Sequence, residues 1–294
     1  MLDRQHDEHH AGLHDGHHAR HHDGHYDVRG SGPLLLVIPG GAGHPMGLDG
    51  AVARLSERFT VVTYDPLGLS RGPLDGPVGD QRVEAWSDRA HRLLDSLLPD
   101  GESARVFGSS SGGIVALDLL ARYPERLRRV VAHEPPSIGV LPDSARQHAM
   151  ITEVYEIHRT EGVAAATARL SAGLEDRSWE PGPRPASTAA DGGENTRSGH
   201  NMPDSRETQN TPMDIFLGHV LRPFTSHALD LDALKGLSSR LTLGAGSDSR
   251  GQLPFRTASL LAELSGSDFV EFPGGHLGVL QHPVAFADRL AEAL

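Results

Sequence analysis

The run Val106-Phe107-Gly108-Ser109-Ser110-Ser111-Gly112-Gly113 decides how this chain is read. It fits the pattern Gly-x-Ser-x-Gly with Ser110 at its centre. Ahead of it, Ala104–Phe107 is a short apolar strand. Behind it, Ile114 to Tyr123 reads as a strongly apolar helix that Pro124 helps to stop. A serine on a sharp strand-to-helix turn has its Oγ exposed at the top of a sheet, as a nucleophile elbow requires. Small residues flank Ser110 because such a turn brings strand and helix close together. The helix N-terminus points its free N–H groups at the same spot. The motif alone also describes an ordinary Ser/Gly-rich turn, so its setting carries the argument.

Outward from the motif, short apolar runs recur at Leu34–Ile38, Thr60–Tyr64, Arg129–His133 and Leu241–Leu243, with a further β-like run at Asp268–Phe272. Near-continuous apolar runs suit strands covered on both faces, as in a parallel sheet. Amphipathic stretches alternate with them. Val83, Trp86, Ala90, Leu93, Leu94 and Leu97 recur at helical spacing, and Phe286, Leu290 and Leu294 mark one face of a C-terminal helix. The expected architecture is α/β, with a mostly parallel, doubly wound sheet and right-handed crossovers. Residues 30–136 and 236–294 form its core. Residues 137–235 interrupt the rhythm and read as an inserted helical cap. Met150, Ile151, Val154, Tyr155 and Ile157 predict one helix there, Val163, Ala166 and Leu170 a second, and Met213–Val220 a third. Within the insertion, 175–209 is rich in Pro, Gly, Ser, Asn and Asp and reads as a long mobile loop.

Three further positions complete a candidate site. The glycine-rich run Ile38-Pro39-Gly40-Gly41-Ala42-Gly43 follows the first strand. An oxyanion hole needs a backbone N–H from this loop and another from the residue after the nucleophile, which points to Gly41 and Ser111. His276 follows the last strand in Gly274-Gly275-His276, where loops at the carboxyl ends of strands converge. Its position selects it from the chain's 19 histidines. The third partner, an acid that orients the imidazole and stabilises the imidazolium, has two candidates. Glu134 ends one strand in His133-Glu134-Pro135-Pro136, and Asp248 follows another in Gly244-Ala245-Gly246-Ser247-Asp248. Pro135 and Pro136 restrict the chain beside Glu134 and weight the choice toward it, with Asp248 as the alternative acid. Met150, Val154, Phe216, Leu217 and Leu221 are the candidates for an apolar pocket wall, or equally for the cap's own core.

Composition narrows the partners. A formal net charge of -12 argues against nucleic acid or an anionic membrane surface, and the absence of cysteine removes disulfide and thiolate chemistry. No apolar run is long enough for a membrane span and no secretory signal is visible, which together predict a cytoplasmic protein. The expected partner is a small-molecule substrate, with no metal or organic cofactor; a homodimer is left open. The first 25 residues hold nine histidines at irregular spacing. They read as a solvated arm (residues 1–29), with an Asp23-Gly24 turn signal for a short edge hairpin.

With these residues in view, the core resembles the α/β-hydrolase superfamily, including Thr63-Tyr64-Asp65-Pro66-Leu67-Gly68-Leu69-Ser70-Arg71 after the second core strand. More narrowly, Gly108-Ser109-Ser110-Ser111-Gly112, Tyr123-Pro124-Glu125-Arg126, His133-Glu134-Pro135 and Gly275-His276 with His282-Pro283 are similar to zearalenone lactonases, which open a macrocyclic lactone. That resemblance implies Glu134 as the acid and Gly41 and Ser111 as oxyanion donors. Two features depart from it: position 40 is Gly where the lactonases carry an acid, and Asp248 has no counterpart there. The expected function is a serine hydrolase cleaving an ester or lactone of a small, largely apolar molecule through an acyl-enzyme. The rivals are C–C hydrolysis, perhydrolysis or cyclisation on the same fold, and a non-catalytic small-molecule binder.

Overall fold

Alternation along the strands explains the layering. In a computed structural model, which describes residues 17–21, 24–41, 47–66, 69, 78–178 and 211–294, eight strands form one sheet. They are β1 (His17–His21), β2 (Gly24–Arg29), β3 (Leu34–Ile38), β4 (Thr60–Asp65), β5 (Ala104–Ser109), β6 (Leu127–His133), β7 (Leu241–Gly246) and β8 (Asp268–Phe272). Successive side chains of a strand point to opposite faces. Leu35 and Val37 of β3 therefore join Val61, Phe107 and Val131 on one face. Leu36 and Ile38 join Val62, Val106 and Val130 on the other. Both faces are apolar, so both must be covered.

The helices supply that cover. Helix α1 (Asp49–Leu55) packs with the C-terminal helix on the first face, through Val52, Leu55, Phe286 and Leu290. Helices α2 (Val83–Leu97) and α3 (Ser111–Arg122) cover the second with Trp86, Leu94, Ile114 and Leu117. Between β6 and β7 run α4 (Ser144–Glu161), α5 (Val163–Leu174), α6 (Pro212–Ile215), a π-helical turn at Phe216–Val220, α7 (Leu221–Thr225) and α8 (Leu231–Gly236). Helix α9 (Leu253–Ser265) links β7 to β8, and α10 (Gly278–Gln281) and α11 (Pro283–Ala293) end the chain.

The strand order is β1-β2-β4-β3-β5-β6-β7-β8. From β4 to β8 every pairing is parallel, while β1 and β2 add an antiparallel edge. The mostly parallel, doubly wound sheet is the one the sequence predicts. The hairpin signal also has a physical counterpart, because His21 pairs with Gly24 and β2 pairs with β4, so the sheet begins ahead of Gly30. The stretch read as a mobile loop lies outside the described residues from 179 to its end. Sheet order reverses at β3–β5, and loops leaving neighbouring carboxyl ends there open a crevice. Among the described residues no helix is long and apolar enough to cross a membrane.

Candidate active site

Ser110 sits between β5 and α3 with φ 53° and ψ −122°, a conformation that costs a non-glycine residue free energy. The glycines around it make the turn sterically feasible. A Cβ on Gly108 would lie 2.3 Å from the Gly112 carbonyl oxygen, and one on Gly112 would lie 2.2 Å from that of Ile38. The Ser110 N–H donates to the His133 carbonyl at 2.9 Å, which extends the β5–β6 ladder one residue past the strand end. The strain is thus held by the sheet beneath it.

Glu134 continues the same pattern on the next strand. Its N–H donates to the Gly244 carbonyl at 2.8 Å, and its backbone also has positive φ, 47°. The side chain is fully buried. Oε1 accepts the Gly246 N–H at 2.8 Å and the Ser249 hydroxyl. Oε2 lies 2.7 Å from His276 Nδ1. Burial pushes this carboxyl up, but the hydrogen bond and charge of His276, with the Ser249 hydroxyl, outweigh burial and hold it below the usual carboxylate range. An ionised carboxylate can only accept, so Nδ1 carries the imidazole proton. His276 Nε2, 3.1 Å from Ser110 Oγ, is then the acceptor of the serine hydroxyl.

The structure brings Ser110, His276 and Glu134 into one hydrogen-bonded line. It does not bring Asp248 to His276. Asp248 is exposed, and its carboxylate accepts a hydrogen bond from the adjacent Ser247 hydroxyl at 3.2 Å. The physical reason is that the β7 exit turns into a short helical turn, directing Gly246 N–H and Ser249 at Glu134 and leaving Asp248 at the rim. Gly246 and Ser249, missed in the sequence, are therefore part of the site. Their signal in the sequence is the Gly246-Ser247-Asp248-Ser249 run, whose small polar residues flank the one carboxylate.

Gly41 and Ser111 also stand beside Ser110, with one detail that spacing could not reveal. The Gly41 N–H donates to the Ser111 hydroxyl oxygen at 3.1 Å. Ser111 opens α3, so its own N–H has no intrahelical acceptor. Behind the site His133 is fully buried among Phe272 and Phe286, and neither ring nitrogen has a hydrogen-bond partner among the described residues. Burial lowers its pKa from 6.5 to about 4. Among the described residues, no group of three or more His, Asp or Glu side chains is arranged to hold a metal ion.

A cavity of about 420 Å³ opens over Ser110 and His276. Apolar side chains dominate its wall, from the sheet edge and from the helices between β6 and β7. Met150, Val154, Phe216, Leu217 and Leu221, read from the sequence as pocket wall or equally as cap core, are all packed in the apolar core, and Phe216 and Leu221 also line the cavity. A volume of this size suits a small organic molecule.

Comparison with known proteins supports the same fold. The model of the alpha/beta hydrolase family matches residues 35–289. The chain is 32% identical over 275 residues to the uncharacterized hydrolase YraK of Bacillus subtilis (strain 168), covering 92% of this chain and 91% of that one. It is 27% identical over 271 residues to a zearalenone hydrolase of Bionectria ochroleuca, covering 91% and 92%. Among solved structures, a serine hydrolase from Cycloclasticus zankles superposes with a TM-score of 0.64 at 19% identity, over 95% of this chain and 97% of that one. Fold, family model and full-length relatives agree, and the chain belongs to the alpha/beta hydrolase family as an enzyme of the hydrolase type.

Proposed function

We propose that this hydrolase cleaves an ester or lactone of a small, uncharged, largely apolar molecule by two-step acyl transfer. The observation that carries the reading is the line Ser110 Oγ, His276 Nε2, His276 Nδ1, Glu134 Oε2, with separations of 3.1 and 2.7 Å at its two contacts. His276 takes the Ser110 proton as Oγ attacks the carbonyl, and Glu134 stabilises the imidazolium that results. The leaving alkoxide takes that proton from His276. Water, deprotonated in turn by His276, then releases the acid and restores Ser110. The N–H groups of Gly41 and Ser111 receive the oxyanion. Since the Gly41 N–H is held by the Ser111 hydroxyl in the free protein, that hydroxyl yields its place when substrate enters.

Ester and lactone chemistry is favoured over its rivals because the array supplies a nucleophile, a base and an oxyanion site, and acyl transfer uses all three. The relative named a zearalenone hydrolase supports including lactones in the class. The helices between β6 and β7, which wall the cavity, act as its cap. Turnover of short p-nitrophenyl esters by the wild type, and its loss in Ser110→Ala, tests the reading; absence of turnover across an ester and lactone panel would count against it.

A further inference from the structure

The cavity over Ser110 is lined by two threonines among the described residues, Thr167 on α5 and Thr225 on α7, and their hydroxyls differ in state. Thr225 donates to the Leu221 carbonyl four residues earlier, at 2.8 Å. Back-bonding of this kind is the usual resting place of a helical threonine. Thr152 and Thr160 on α4 do the same, each at 2.9 Å, and Thr257 on α9 donates to Pro135 and Pro254 carbonyls at 2.7 and 2.9 Å. Thr167 departs from all of them. Its Oγ1 is shielded from solvent and has no hydrogen-bond partner among the described residues.

A buried hydroxyl without a partner destabilises the protein that holds it. Valine would fill the same space without that cost. Leu170 and Leu174 flank Thr167 on the same helix and Ile151 and Phe216 stand on neighbouring elements of the same wall, while Ser171, four residues on, is the other hydroxyl that α5 contributes to the lining. A second χ1 well is available to a threonine in a helix, so the hydroxyl can turn to a ligand without moving the backbone. The missing partner is then an atom of the bound molecule. Its charge follows from the same wall: no lysine or arginine is among the described lining residues, whereas Glu175 and Asp248 both are. An anionic group would find no lysine or arginine counter-charge among the described lining residues. A threonine hydroxyl both donates and accepts, which suits an alcohol or a ketone oxygen.

We propose that Thr167 is a specificity-determining residue whose hydroxyl hydrogen-bonds an uncharged oxygen function, an alcohol or a ketone, on the part of the substrate remote from the scissile carbonyl. Helix α5 contributes none of Ser110, His276 or Glu134, so this contact comes from a different element of the cavity wall than the reacting groups. The assignment rests on the ester or lactone reading above and narrows its substrate class.

The test compares p-nitrophenyl ω-hydroxyalkanoates of graded chain length with p-nitrophenyl alkanoates of matched heavy-atom count. The quantity read is the ratio of kcat/KM within each pair, for the wild type, Thr167→Val and Thr167→Ser. At the chain length that reaches Thr167, the wild-type ratio should fall about tenfold in Thr167→Val, the effect of one lost neutral hydrogen bond, and recover in Thr167→Ser. Thermal melting should show Thr167→Val folded and no less stable. Equal ratios in wild type and Thr167→Val at every length, or a loss shared equally by both members of a pair, would overturn the assignment while ester turnover leaves the hydrolase reading standing. Failure of the wild type to turn over any ester would overturn that reading and this one with it.

Discussion

The Gly246 N–H donates to Glu134 Oε1 at 2.8 Å, so the loop that carries Asp248 holds the buried acid rather than supplying it. Two strand ends thus cooperate, with β6 bringing the carboxylate and β7 bringing the donors that fix it. On this geometry Glu134→Gln keeps the shape but removes the charge opposite His276 Nδ1, and kcat should fall by up to about 10⁴-fold. Asp248→Asn changes an exposed charge with no contact to His276 and should stay within about threefold. Steady-state kinetics on one ester decides the matter. A reversed order of effects would make Asp248 the functional acid.

Ser249 is the second donor to Glu134 Oε1. Ser249→Ala leaves a fully buried carboxylate short of one hydrogen bond, which costs about 1.5 to 3 kcal/mol when the acceptor is charged. Urea denaturation should show that loss, and kcat should fall while KM changes little, since the effect reaches the substrate only through His276. A variant as stable and as active as the wild type would contradict this.

Gly40 lies against Ser110, the proposed nucleophile. A Cβ there would meet the Ser109 carbonyl oxygen at 2.5 Å and Ser110 Cβ at 2.7 Å. Gly40→Ala should therefore displace Ser110 and reduce kcat/KM by roughly 10²-fold, the scale of a misplacement of about 1 Å. The departure from the lactonase pattern at this position, where those enzymes carry an acid, is thus a packing requirement in this chain. Full activity in Gly40→Ala would show that the loop can retreat.

His133 gives the pH dependence. Its ordinary pKa is 6.5, and burial lowers it to about 4 in the folded protein. Between those values the unfolded chain binds a proton that the folded chain does not, so stability rises with pH through this window and falls as acid is added. At pH 4 the loss approaches about 3 kcal/mol. Replacing His133 by Leu removes the buried ring nitrogens and should flatten that part of the curve, measured by urea denaturation from pH 4 to 7. Parallel curves for the two proteins would contradict this.

Most of the fold was legible because its signals are local. Strands such as Leu34–Ile38 and Asp268–Phe272 are read at their observed bounds, since runs of apolar and β-branched residues suffice to mark them. Helix α9 was not legible, because Thr257 and Ser265 lie on its buried face and dilute the apolar pattern at Leu253, Leu261 and Ala262. Ser110 and His276 could be placed from motif and order alone. The choice between Glu134 and Asp248 could not, because it depends on how the β7 exit turns, and that is set by hydrogen bonds spanning more than a hundred residues of sequence. Thr167 was invisible for a related reason: an unpartnered hydroxyl is a property of surroundings, and nothing in the sequence around it marks it.

The central claim is that Ser110 is the nucleophile, activated by His276 on a strained turn. Covalent labelling by a fluorophosphonate, with the modified residue mapped by peptide mass, tests it most directly. The expected result is a single adduct at Ser110, absent from Ser110→Ala and much slower to form in His276→Ala. An adduct at Ser109 or Ser111, or labelling that survives in Ser110→Ala, would contradict it.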